Sequence, residues 1–322
     1  MMKNHGLLIA LAAIPLWAAS CQGLPEREEA DRYSLLVRVS LPVVSKVTDA
    51  SPEAESRLTD IRVFVFDDAG WLETSGTASS RSLSLRCRTG DKTVWVLANA
   101  PEAGSILRIS DLESCLSRLS DNAPDRLVMA GSRALTVLSD MEGTVTVQRL
   151  CAKVTVGSIT KAFTSAVLQE RELRIRRVYM TNVAADCCYG TSTAPSSWYN
   201  RMGYQGDCPA LLCDEVDKVA SPTLSEPHTF YVYPNDSPSD ARGGTWSPRH
   251  TRLVMDASLG GEPCYYVIDI PNLESNHAYE LSNILLTRPG ASEEENVTAA
   301  SGVRFTFQVR GWSVAEPYVE NL

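Results

Sequence analysis

Apolar and polar residues alternate in short runs along most of the chain, the pattern of half-buried strands. Residues 33–44 read Y-S-L-L-V-R-V-S-L-P-V-V, and residues 61–66 read I-R-V-F-V-F, with Ile61, Val63 and Val65 on one side. Asp67, Asp68, Ala69 and Gly70 then predict a turn, because Asp and Gly accept the left-handed backbone of a tight hairpin. Residues 81–88 alternate, and residues 93–98 (T-V-W-V-L-A) are apolar enough for a central strand. Residues 110–119 break the rhythm. Leu112, Cys115, Leu116 and Leu119 fall at helical spacing, and Ser110 and Glu113 stand at the separation of a capping box. One short helix is expected there.

Strands resume at 127–129, 134–138 and 144–147, then at 150–156 (L-C-A-K-V-T-V) and 173–180 (L-R-I-R-R-V-Y-M). Residues 181–222 read as a long irregular stretch holding Trp198, Tyr199 and Tyr204. Further strands are expected at 229–233, 252–255, 265–270 and 279–286. The last, 303–312, places Val303, Phe305, Phe307 and Val309 on one face. Many short strands separated by turn residues predict an all-β protein of two β-sandwiches, with one short helix in the first and a boundary near Gln148.

The start of the chain has a different character. Lys3 precedes an apolar stretch from Leu7 to Trp17, which is shorter than the roughly 20 residues of a spanning helix and has the form of a signal-peptide core. Ala18, Ala19 and Ser20 lead into Cys21, an arrangement that resembles the bacterial lipobox. It implies cleavage between Ser20 and Cys21 and diacylglycerol on the Cys21 thiol. Residues 22–31 (Q-G-L-P-E-R-E-E-A-D) form an acidic tether with too little apolar surface to fold alone. The expected organisation is a signal peptide over 1–20, the tether over 21–32, and sandwiches over 33–147 and 148–322. No later segment holds 18 consecutive apolar residues, so the lipid is the expected membrane attachment.

The formal net charge is −9, which argues against a nucleic-acid partner. Eight cysteines follow Cys21. Their even number in an exported chain permits disulfides, and the cluster Cys187, Cys188, Cys208 and Cys213 leaves the pairing open. Cys151 and Cys264 lie in apolar strands and read as buried thiols. With neither a C-x-x-C motif nor a His at metal-ligand spacing from a Cys, no metal site and no cofactor is expected. His228, His250 and His277 accompany no nucleophile motif, and G-x-S-x-G, H-E-x-x-H and a phosphate loop are all missing. Asp67/Asp68 and Glu28/Glu29 read as turn and tether residues. The chain is therefore expected not to be an enzyme.

Several segments together resemble the fimbrillins, the subunits of type V pili. Residues 60–67 (D-I-R-V-F-V-F-D), 93–99 (T-V-W-V-L-A-N) and 127–131 (L-V-M-A-G) match the first half of that pattern in order. The second half is matched by 149–154 (R-L-C-A-K-V), 230–236 (F-Y-V-Y-P-N-D), 276–279 (N-H-A-Y) and Trp312. The resemblance implies two transthyretin-like β-sandwich domains in a lipoprotein precursor. It implies assembly by strand exchange: Arg-directed proteolysis removes the first strand with its lipid, and the C-terminal segment of another subunit fills the groove. Arg57 is the only Arg from Ser45 to Thr59 and is the expected processing site, with Lys46 the alternative for a less strict protease.

The implied role is a structural subunit of a cell-surface fimbrium that supports adhesion, with other fimbrial subunits and the outer membrane as partners and a host or bacterial surface as ligand. Two features depart from a stalk subunit. Arg57 lies three residues before Asp60, and the tail after Trp312 is short and contains Pro317. They leave a lipid-retained anchor, or a tip subunit, as an alternative. A surface glycan-binding lipoprotein, with sugars stacked on Trp198, Tyr199 and Tyr204, is a further alternative.

Overall fold

The computed structural model describes residues 32–42, 53–190, 194–201, 203–237, 246–294 and 302–312. The first half runs β1 (Arg32–Ser40), β2 (Ile61–Phe66), β3 (Leu72–Ala78), β4 (Ser82–Arg88), β5 (Gly90–Ala98), α1 (Ile109–Ser114), β6 (Leu116–Arg118), β7 (Met129–Val137), β8 (Met141–Thr146) and β9 (Gln148–Arg149). Strands β3-β2-β5-β7-β9 form one antiparallel sheet, and β4-β1-β8 form a second. Strand β2 and the end of β5 are buried on both faces, as the continuous run V-W-V-L-A requires. The expected turn forms between β2 and β3: Asp67 Oδ1 accepts the amides of Ala69 at 3.0 Å and Trp71 at 2.8 Å. Where β7 crosses β8, a Cβ on Gly131 would stand 2.1 Å from the Thr146 carbonyl, so glycine is needed for the sheets to approach.

The predicted helix is shorter than its apolar spacing suggested. It spans Ile109–Ser114, and Leu116–Arg118 leave it to pair as β6 with residues of the second half. Its cap also differs. Asp111 closes the N-terminus by accepting the Leu107 and Arg108 amides at 3.1 and 2.9 Å, in place of the expected Ser110 and Glu113 pair.

The second half runs β10 (Ala152–Val156), β11 (Ile159–Lys161), α2 (Ala166–Glu170), β12 (Leu173–Thr181), β13 (Val183–Ala184), β14 (Asp186–Cys188), β15 (Trp198–Tyr199), β16 (Cys213–Val219), β17 (Thr223–Leu224), β18 (His228–Val232), β19 (Thr251–Leu259), β20 (Glu262–Ile270), β21 (His277–Leu286) and β22 (Val303–Gly311). One sheet has β10 and β11 end to end along β21, both parallel to it, with β18 and β17 outside them and β22 on the far side of β21. The other is the antiparallel sheet β16-β12-β19-β20. The short helix α2 was not foreseen. The stretch 181–222 is also less irregular than expected. It carries β13, β14 and β15, and β16 forms a seven-residue edge on β12.

The halves are stitched by β14 on β6 and by Tyr233, whose hydroxyl donates to the Arg118 carbonyl at 3.1 Å and accepts from Asn122 at 2.9 Å. A continuous set of buried apolar residues runs from Leu35 to Trp312. Cys151 and Cys264 are buried thiols as expected, and burial pushes the Cys151 thiol up to about 12 despite the nearby Arg149.

Candidate functional site

Strand β1 occupies the middle of its sheet. Its alternation turns Leu35, Val37 and Val39 into the core, and Leu41 continues the same face, all at most 7% exposed. Burying four such side chains is worth roughly 6–12 kcal/mol before entropy is counted. β1 pairs antiparallel with β4, from Arg32↔Arg88 to Arg38↔Ser82, and parallel with β8, from Leu35↔Met141 to Ser40↔Thr146. Its outward residues bond to the same neighbours: Ser34 with Ser84 at 2.8 Å, Ser40 with Thr146 at 3.0 Å, and Arg38 with Glu142. Without β1, two strand edges and an apolar trough would lie open together.

Ser20, Cys21 and Lys46 lie outside the described residues. Arg57 follows a 3-10 turn at Glu53–Ser56. Its guanidinium is more than half exposed beside Asp125, 3.5 Å away. Its backbone is held: the amide donates to Ala54 O at 3.2 Å, and the carbonyl accepts Asn99 Nδ2 at 2.8 Å. Asn99 has the left-handed backbone that Asn tolerates, and it also bonds the Thr59 amide at 2.9 Å and the Leu127 carbonyl at 2.9 Å.

Two residues before Arg57, Glu55 is 4% exposed. Its carboxylate meets Lys153 Nζ at 2.7 Å and accepts from the Tyr231 hydroxyl at 2.8 Å and Trp312 Nε1 at 3.2 Å. Lys153 and Tyr231 are directly opposed across β10 and β18. Arg149, fully buried, donates to the Glu55 carbonyl at 3.0 Å, Ser56 Oγ at 3.1 Å, Asn276 Oδ1 at 3.2 Å and the Trp312 carbonyl at 3.0 Å. Its guanidinium lies 4.4 Å over the Trp312 ring, which also stacks on Tyr231. A buried charge group holds only when its polar atoms are satisfied, and the planar fork of Arg149 reaches four acceptors that a lysine would not. Burial lowers the Arg149 pKa, partly opposed by Cys151, Glu55 and Tyr231. The Tyr231 hydroxyl is pushed up by burial and then by Glu55.

The fimbrillin-like segments meet here. Asn99 and Leu127 hold the Arg57–Thr59 backbone, while Arg149, Lys153, Tyr231, Asn276 and Trp312 enclose Glu55. The motifs marked these residues, but Glu55 was missed: residues 45–56, between the first two strands, form a polar linker in which an acidic residue reads as solvated.

The aromatics considered for sugar binding are engaged in packing. Trp198 is half-buried edge-on to Trp246 at 5.5 Å, and Tyr204 packs on Tyr179 at 5.2 Å beneath Arg177. Cys187, Cys208 and Cys213 stand as thiols. Among the described residues, no group of three His, Cys, Asp or Glu side chains could hold a metal, and no helix is long and apolar enough to cross a membrane.

No family model matches this chain, and no curated protein matches it. Solved structures do. A candidate cell adhesion protein from Bacteroides eggerthii superposes with a TM-score of 0.69 at 16% identity, over 89% of this chain and 98% of that one. A fimbrilin, FimA, from Porphyromonas gingivalis gives 0.61 at 15% identity, over 88% and 99%. The tip fimbrial protein Mfa3 from the same organism, truncated at its C-terminus, gives 0.55 at 14% identity, over 88% and 100%. At these identities the likeness establishes the fold: this chain has the all-β architecture of fimbrial subunits and candidate adhesion proteins, as its ordered motifs implied.

Proposed function

We propose that this chain is a fimbrillin, a structural subunit of a cell-surface fimbrium with sandwich domains over 33–147 and 148–322. It is exported as a lipoprotein through Cys21 and assembled by strand exchange with other fimbrial subunits. The observation that carries the reading is β1: a central strand with three inward apolar residues, continued by Leu41, and tied to the rest of the chain through the linker that ends at Arg57. The C-terminal strand supports it. Among the described strands β22 is paired on one side only, and Phe305, Phe307 and Val309 repeat the i, i+2, i+4 apolar spacing of Leu35, Val37 and Val39. Phe307 and Val309 are about half exposed, so β22 is a better donor than the Pro317-containing tail.

The held backbone at Arg57 favours a second reading, a lipid-retained anchor. Proteases bind their substrates extended, so residues 53–58 must leave the Glu55 and Asn99 contacts before the bond after Arg57 is reached. Mass spectrometry of sheared filaments and of outer membranes separates the two. A filament form beginning at Leu58 establishes the exchanging subunit. A lipidated form beginning at Cys21 that stays in the membrane together with fimbrial subunits establishes the anchor, and a membrane form accompanied by no fimbrial subunit refutes both.

A further inference from the structure

The segment that follows β1 and the residue just after β22 share one buried cluster. From Thr306 to Gly311 every residue of β22 is exposed, and among the described strands it pairs with β21 alone. Its distal end is fixed by Trp312, 2% exposed, whose amide donates to the Asn276 carbonyl at 2.7 Å. Arg149 also holds the Trp312 carbonyl and Tyr231 stacks on its ring, while the indole N–H is held by Glu55. The indole N–H donates to that residue's carboxylate, which pairs with the Lys153 ammonium, while Arg149 donates to the Glu55 carbonyl; both cations face the Trp312 ring.

We propose that Glu55 is a latch that couples loss of the N-terminal strand to release of the C-terminal one, an inference that rests on the strand-exchange reading above. While the chain up to Arg57 is in place, Glu55 holds Trp312 and closes the end of β22. When that piece departs, Arg149 loses the Glu55 carbonyl and Ser56 Oγ, two of its four acceptors. Lys153, Tyr231 and Trp312 Nε1 lose the carboxylate at the same moment. The buried Arg149 and the half-buried Lys153, both set over the Trp312 ring, then lack that anion, and hydrating them requires Trp312 to lift. A subunit thus frees its own donor strand only once its own groove can accept one, which keeps unprocessed chains from assembling early.

The test places a site for an exogenous sequence-specific protease in the full mature chain, either between Asp49 and Ser51 or directly after Arg57. Each form is cut and incubated with excess synthetic peptide Arg32–Pro42, so that the groove stays filled. Hydrogen exchange of residues 304–311 is then followed. The cut before Glu53 leaves Glu55 attached and β22 protected. The cut after Arg57 removes Glu55 and speeds exchange by about tenfold or more, as expected for losing charge-assisted bonds at the end of an edge strand. Equal exchange in the two forms overturns the latch. In the uncut chain Glu55→Gln raises exchange at 304–311, and unchanged exchange there also overturns it; Trp312→Phe, which removes one bond, gives the same reading if Glu55→Gln fails to fold. Failure of the peptide to enter the groove counts against strand exchange alone, because the uncut variants still report on the latch.

Discussion

Replacing Leu35 with alanine measures how firmly β1 is seated. Leu35 is fully buried near the centre of the strand, paired with Leu85 on one side and Met141 on the other. A Leu→Ala change at such a site costs about 2–5 kcal/mol, because the lost transfer energy is joined by the cavity left behind. Since β1 is joined to the next strand only through the linker, the cost falls first on its local attachment. Opening of the β1 seat should therefore become roughly 30-fold or more frequent. The assay is hydrogen exchange of the β4 and β8 amides that bond to β1, followed in the full chain, together with uptake of labelled Arg32–Pro42 peptide. Ser34→Ala, on the outward face, is the control, with an expected change within about 0.5 kcal/mol. Equal exchange and equal peptide uptake in both variants would show that β1 is not held by its inward side chains, and a removable plug would lose its physical basis.

Three further predictions concern other buried groups. Arg149→Met strips the Glu55 carbonyl, Ser56, Asn276 and Trp312 of a shared donor and should lower unfolding free energy by about 3–5 kcal/mol in urea titrations. Burial pushes the Asp186 carboxyl up, but bonds from Ser196 and Ser197 outweigh it and leave the group below its ordinary value, so its stabilisation is present above the unfolded value near pH ~4 and fades as pH falls through the folded one. Ser197→Ala should accordingly destabilise the protein at pH 6 and much less near pH ~2, read from unfolding midpoints. Alkylation of the native protein at mildly alkaline pH should spare Cys87 and Cys151, which are fully buried with raised thiol pKa values, while unfolding exposes both to labelling in a peptide map.

By itself the sequence determined the all-β class, the alternating faces of β1, the Asp67–Gly70 turn and the central place of β5. Each follows from a period of two or from local turn chemistry acting within a few residues. It also marked the segments that build the junction, although a motif names residues without saying what they surround. The spacing of Leu112, Cys115, Leu116 and Leu119 could not decide between a longer helix and a strand. The choice fell to β14, an edge about 70 residues away that pairs with Leu116–Arg118. Glu55 shows the same limit more sharply. A carboxylate in a polar linker is hydrated unless cations and donors meet it in the interior, and its partners Lys153, Tyr231 and Trp312 stand 98, 176 and 257 positions further along the chain. Only the tertiary structure brings them within hydrogen-bond distance, and desolvation then makes their pairing obligatory.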